Sequence, residues 1–296
     1  MSRVKSFLNR LLGRSEHVDT GVEHDPADPF QGLPNPAFFV NALFDTLPQN
    51  LDDMLPRLDD LLAKTALPDV APTTLDAWTE LPLGWSATLT AGPYMVVLNG
   101  ERTPLTPEQQ HTSIHFSNWN DEQKDRLRAH RAHVHLSCWT HLPPDQTLTL
   151  LYAVATALQP LGVTDETAFN CVVADALDLA LPRHEGGELA LMPTLFWTGL
   201  LKFHRPDDGQ VYYTTRGFER FGKPNLAWLA PVDSGEEAAE LFDALLNYQY
   251  HYRQVFAHGH TAEMRGRTMR FSEPTEYAEY LSGGLPVLTV EVRRPN

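Results

Sequence analysis

His130, His133, His135, Cys138 and His141 fall within twelve residues, and imidazole and thiolate are both good zinc ligands. On a strand, His133 and His135 share a face, which suits two ligands of a divalent metal; a metal-dependent hydrolase working from that face is one reading. Cys138 points to the other face. No C-x-x-C or H-E-x-x-H spacing accompanies the set, so a third ligand has to come from elsewhere, with His258, His260 and Glu263 the candidates by type. The competing reading is structural: His133 packs beneath a sheet with its ring hydrogen-bonded, and the other histidines are solvated. The residues favour that second reading, so no catalytic group, metal ligand or cofactor is assigned.

Other chemistries find less. There is no G-x-S-x-G elbow, and the apolar neighbours of Cys138 and Cys171 (Leu136, Trp139, Val172, Val173) mark both thiols as core residues. Gly217 and Gly222-Lys223 have the outline of a phosphate loop, but Pro224 stands where Ser or Thr would hold magnesium, so the two glycines read as turn residues. The acidic pairs Asp52-Asp53, Asp59-Asp60 and Glu236-Glu237 fit solvated faces and caps. Aromatic residues say more. Tyr248, Tyr250 and Tyr252 alternate on one helix, where alternate positions diverge, so Tyr250 is expected outside while Leu241, Leu245, Tyr248, Tyr252 and Val255 face the core. Tyr250 with Arg253 forms a candidate protein-binding surface, Tyr and Arg being enriched in interfaces, and Trp197 and Arg216 are further binding candidates.

The elements that carry these residues follow from pattern and punctuation. Strands are expected at 37–44, Trp85 to Leu89, Tyr94 to Leu98 (with Asn99-Gly100 as a turn), Ala132 to Trp139, Ala168 to Val173, Thr194 to Phe203, Gln210 to Thr214, Leu226 to Leu229, Thr268 to Phe271 and Val287 to Val292. Helices are expected from Leu51 to Leu62 behind Asn50, with Pro56 delaying the start or kinking it, and from Thr106-Pro107-Glu108-Gln109, a capping box. Others run from Asn120 to Arg131, from Asp145 to Leu158, and from a Ser234/Glu237 capping box to about Ala257. This order implies an α+β fold, a largely antiparallel mixed sheet with packed helices, in the form of two related α/β halves at 37–131 and 132–296.

Ahead of them, Val4, Phe7, Leu8, Leu11 and Leu12 recur at helical spacing among Arg3, Lys5, Arg10 and Arg14, so residues 1–14 read as a short basic amphipathic helix. A helix packed on its own domain, or a frayed terminus, is favoured over weak membrane-surface contact or partner docking. Residues 15–36 are a polar, proline-punctuated linker.

A net charge of −15 opposes binding to nucleic acid and suits a basic partner. No stretch reaches the ~20 apolar residues that span a bilayer, no secretory signal is apparent, and two cysteines fit a reducing compartment, so the expected location is cytoplasmic.

From about Ala132 to Val292, a little over half the chain, the sequence resembles the bacterial family catalogued as domain of unknown function 4261. The matching stretches are Ala132-His133-Val134-His135-Leu136, Leu195-Phe196-Trp197, the signature Tyr213-Thr214-Thr215-Arg216-Gly217-Phe218-Glu219-Arg220-Phe221-Gly222, and the tail to Val292. Residues 258–263 depart from the plainer turn expected there. The resemblance implies a fold and no reaction. The sequence therefore points to a non-enzymatic protein-binding or regulatory module, of the immunity or adaptor kind, ahead of the His133/His135 hydrolase.

Overall fold

The structure, a computed structural model, describes residues 38–138, 142–183, 193–205, 209–264, 266–282 and 284–293. The expected N-terminal helix and linker, Trp139, His141 and residues 206–208 lie outside the described residues.

Alternating apolar residues build a first sheet from β1 (Phe38–Phe44), β2 (Thr74–Leu81), β3 (Gly84–Ala91), β4 (Tyr94–Glu101), β5 (Ala132–Cys138), β6 (Gly162–Asp165) and β7 (Asn170–Val173). Their order is β2-β3-β4-β5-β1-β6-β7, and every neighbouring pair is antiparallel. β5, which opens the expected C-terminal half, thus lies between β4 and β1 of the expected N-terminal half. Asn99-Gly100 is not a turn but part of β4. Glycine is required there because a Cβ at Gly100 would come 2.6 Å from the Trp85 ring, whose Nε1 donates to Pro48 O at 2.7 Å.

Four helices accompany this sheet: α1 (Met54–Leu62), α2 (Pro107–Gln110), α3 (Asp121–Arg128) and α4 (Pro144–Ala157). α1 starts late, so that Pro56 falls in its first turn where no intrahelical N–H is needed. Asn50 closes a local turn to the Asp52 amide instead of capping the helix. The Thr106/Gln109 capping box forms on α2, and Asn120 with Gln123 forms another on α3. α4 shows more than the single apolar face expected of it. Leu148, Leu150, Leu151, Tyr152, Val154 and Ala157 are all buried, because α4 runs through the core against α1, β1, β5 and the turn at Phe218–Phe221.

A second sheet takes β8 (Gly199–His204), β9 (Gln210–Arg216), β10 (Asn225–Pro231), β11 (Thr261–Met264), β12 (Arg267–Ser272) and β13 (Val287–Arg293) in the order β11-β12-β13-β10-β9-β8. Among the described strands of this sheet, only β10 and β13 run parallel. The chain is therefore α+β with two largely antiparallel sheets.

Three more helices attend the second sheet: α5 (Pro193–Phe196), α6 (Gly235–His251) and α7 (Ala278–Ser282). Leu195-Phe196-Trp197, expected on a strand, form α5 and the turn after it, because the Asp243 carboxylate accepts the Thr194 amide at 2.7 Å and caps the turn. The Ser234/Glu237 box does not form: the Ser234 side chain makes no cap bond, and Glu237 pairs with Arg267 at 2.8 Å.

Candidate functional site

The histidines of β5 do share a face, in register with Leu43 and Asn41 of β1. His133 Nδ1 lies 2.8 Å from Thr103 O, so its ring is hydrogen-bonded as the structural reading expects. His130 and His135 are not solvated, however. His130 is buried, with Nδ1 at 2.6 Å from Leu127 O and Nε2 accepting the Leu105 amide at 2.8 Å. His135 Nδ1 is 3.0 Å from Asn41 Oδ1; Asn41 Nδ2 and Gln109 Nε2 each donate to Glu166 Oε1 at 3.0 Å. Burial pushes the His135 pKa down and that of Glu166 up. This network ties β1, β5, α2 and the β6–β7 turn together, with its buried polar atoms satisfied mutually. His258 and His260 accept the Glu273 and Ala257 amides in the second sheet. Among the described residues, no group of three or more His, Cys, Asp or Glu side chains is placed to hold a metal ion. Both thiols are buried, and burial pushes each up to about 12, where a nucleophilic thiolate is scarce.

The expected binding residues scatter. Trp197 is fully buried, its ring parallel to Phe221 at 6.3 Å. Arg216 is 7% exposed and donates to Leu281 O at 2.8 Å, fixing α7 on the second sheet, so its fork is spent inside the fold. The expected arrangement of tyrosines on α6 is reversed. Tyr248, Tyr252 and Val255 are 40%, 60% and 50% exposed, whereas Tyr250 is half-buried edge-on to Phe221 and beside Asp145. Burial and the Asp145 carboxylate raise the Tyr250 pKa. The reversal follows from what flanks the end of α6: the turn at Phe218–Phe221 and the start of α4 cover the side that carries Tyr250. The core stripe there is Leu241, Leu245, Leu246 and Gln249.

Arg253 is exposed and holds φ +52°. It closes α6 in a Schellman turn, with Gln254 N donating to Gln249 O at 2.9 Å and Arg253 N to Tyr250 O at 3.2 Å. Gln249 is buried, and its Oε1 accepts the Phe256 amide at 3.0 Å. The chain leaving the helix is thereby turned so that Val255 and Phe256 line an open groove of about 740 Å³. Its other walls are the start of the parallel pair (Pro224, Pro286, Leu288) and the loop at Glu273 and Pro274. Lys223 Nζ donates to Gln254 O at 2.6 Å, which closes the helix end and engages the amine that, among the described residues, lines the groove. Glu219 and Glu273 line it as well; Glu219 Oε2 accepts from Gly217 N at 3.0 Å and from Asn225 Nδ2 at 2.7 Å, so Glu273 is the exposed acid on the groove.

The groove continues into the exposed aromatics. Phe256 stacks on Phe271 at 4.0 Å on the core side and on Tyr248 at 6.0 Å on the outer side, and Tyr248 meets Tyr252 at 4.9 Å. A row of rings thus runs from core to solvent beside an apolar groove edged with carboxylates. This combination suits an apolar, cationic segment. Sequence reasoning placed Tyr250 and Arg253 at this end of α6 but missed Phe256, Glu273 and the groove; Gln249, a polar residue in the apolar stripe, was the local signal. Comparison with family models, with curated proteins and with solved structures finds no significant match to this chain.

Proposed function

We propose that the chain is a non-enzymatic protein-binding module that docks a basic amphipathic segment in the groove at the end of α6. One observation carries the reading: Tyr248 and Tyr252 stand exposed, their rings tilted against each other, next to a groove of ligand-pocket size (~300–1,000 Å³ for such pockets) whose charged walls include Glu219 and Glu273. Solvated large aromatics are a cost that a docking surface explains. The resemblance to the family of unknown function fits this reading, since its signature supplies Glu219 and Gly222 to the groove wall. The acidic balance of the chain suits a cationic partner and a cytoplasmic setting. The His133/His135 hydrolase has no supporting geometry beyond the shared face.

The test uses a fluorescent helical peptide of leucines and lysines at amphipathic spacing, with a leucine and glutamate peptide as control. The lysine peptide is expected to bind and the glutamate peptide not to. Val255→Asp and Glu273→Lys are each expected to weaken binding about tenfold, the order of one anchor or one charge contact at an interface. Equal binding of both peptides, or indifference to both substitutions, overturns the proposal.

A further inference from the structure

We infer that the basic amphipathic segment at residues 1–14 of this same chain occupies the groove and competes there with a partner. The inference rests on the docking reading above and adds a regulator to it. Three observations carry it. The first is chemistry: Val4, Phe7, Leu8, Leu11 and Leu12 at helical spacing supply an apolar stripe, while Arg3, Lys5, Arg10 and Arg14 stand in a segment without one acidic residue, in a chain of net charge −15. The groove offers the complement, with Val255, Phe256 and Leu288 for the stripe and, for the cations, the exposed Glu273 and the Glu219 oxygen that the Gly217 and Asn225 bonds leave over.

The second observation is place. Phe38, the first described residue, lies with its ring 5.4 Å from the Arg220 guanidinium, and Arg220 sits in the turn whose neighbours Glu219, Gly222 and Lys223 form one wall of the groove. The described chain thus begins against the turn that carries one wall of the groove. The third is reach. Residues 15–37 separate the two, and at ~3.3 Å per residue fully extended they can reach up to roughly 75 Å. A tether of this length sets an effective concentration in the millimolar range, enough for a modest contact to compete with a partner in solution.

The two buried native thiols leave the full chain suited to site-directed labelling. Nitroxides at Ser6→Cys on the segment and Thr275→Cys beside the groove are expected to give one short, narrow distance distribution. Leu8→Asp with Leu11→Asp, or high salt, is expected to turn it long and broad. The same double substitution is expected to tighten binding of the lysine and leucine peptide by roughly tenfold or more, because the tethered competitor is removed. A broad distribution in the unaltered chain, with peptide affinity unmoved by the double substitution, overturns the inference while leaving the docking reading intact. Failure of the peptide to bind either form sinks the docking reading itself. A segment that takes up anionic vesicles while the distances stay broad identifies a membrane contact and equally overturns the inference.

Discussion

Arg220 donates from both terminal nitrogens to the two carboxylate oxygens of Asp165, at 2.5 and 2.6 Å, with the two side chains 5% and 0% exposed. One partner is in β6 of the first sheet and the other in the turn between β9 and β10 of the second. A buried pair of this kind is costly to break on one side, because the survivor keeps its charge without a partner.

Arg220→Met is accordingly expected to lower stability by about 3–5 kcal/mol, and Asp165→Asn together with Arg220→Met by clearly less. Urea unfolding of the single and double variants measures both. A double variant as unstable as the worse single would show that the pair's attraction, and not its isolated charge, dominates.

Arg253 holds a left-handed backbone at a position where glycine is the common residue. Arg253→Gly removes the Cβ penalty but frees the unfolded chain, so the expected net gain is about 0.5–1 kcal/mol. Thermal unfolding checks it. A loss of stability would mean that the arginine side chain contributes more than its backbone costs.

Much of the architecture was legible. The capping box of α2, the start of α3 after Asn120, the β3, β4, β5 and β9 cores and the delay that Pro56 imposes are local effects, and local residues reveal them. What was not legible depended on partners distant in sequence. Asn99-Gly100 has the composition of a turn, yet Trp85 packs so close to Gly100 that only glycine fits in the strand. Trp197 and Arg216 have interface-like chemistry but are consumed by Phe221 and by α7. Tyr250 and Tyr252 exchanged exposure because the cover at the end of α6 comes from residues about thirty and one hundred positions earlier. The groove has the same character: its walls come from three separated segments, and no single one of them announces it.

Asp243 caps α5 from a buried position, and burial pushes its carboxyl up to about 6 from its ordinary 3.8. With the folded pKa above the unfolded one, the folded state holds the extra proton between these values; the stabilisation is full below the unfolded pKa and lost as pH rises through about 6. Asp243→Asn keeps an oxygen for the Thr194 amide and removes the buried charge. It is expected to stabilise by about 1–2 kcal/mol near pH 8, with the advantage gone near pH 4. A stability difference independent of pH would show that the carboxylate is not the titrating group.

His130 gives the opposite slope. Its Nδ1–H donates to Leu127 O and its Nε2 accepts the Leu105 N–H, so only the neutral ring satisfies both. Burial is the chief cause of its lowered pKa, the neighbouring His133 adds to it, and the Leu127 carbonyl opposes it. The unfolded chain therefore binds the proton first as pH falls below about 6.5, and stability declines from there until the folded pKa is reached. His130→Gln can place an oxygen toward the Leu105 amide and an amide nitrogen toward the Leu127 carbonyl without a titrating group. It is expected to flatten the acid side of the stability curve, while Asp243→Asn steepens it. Melting curves of the two variants across the acid range separate the contributions, and an unaltered slope in His130→Gln would assign the acid loss to other groups.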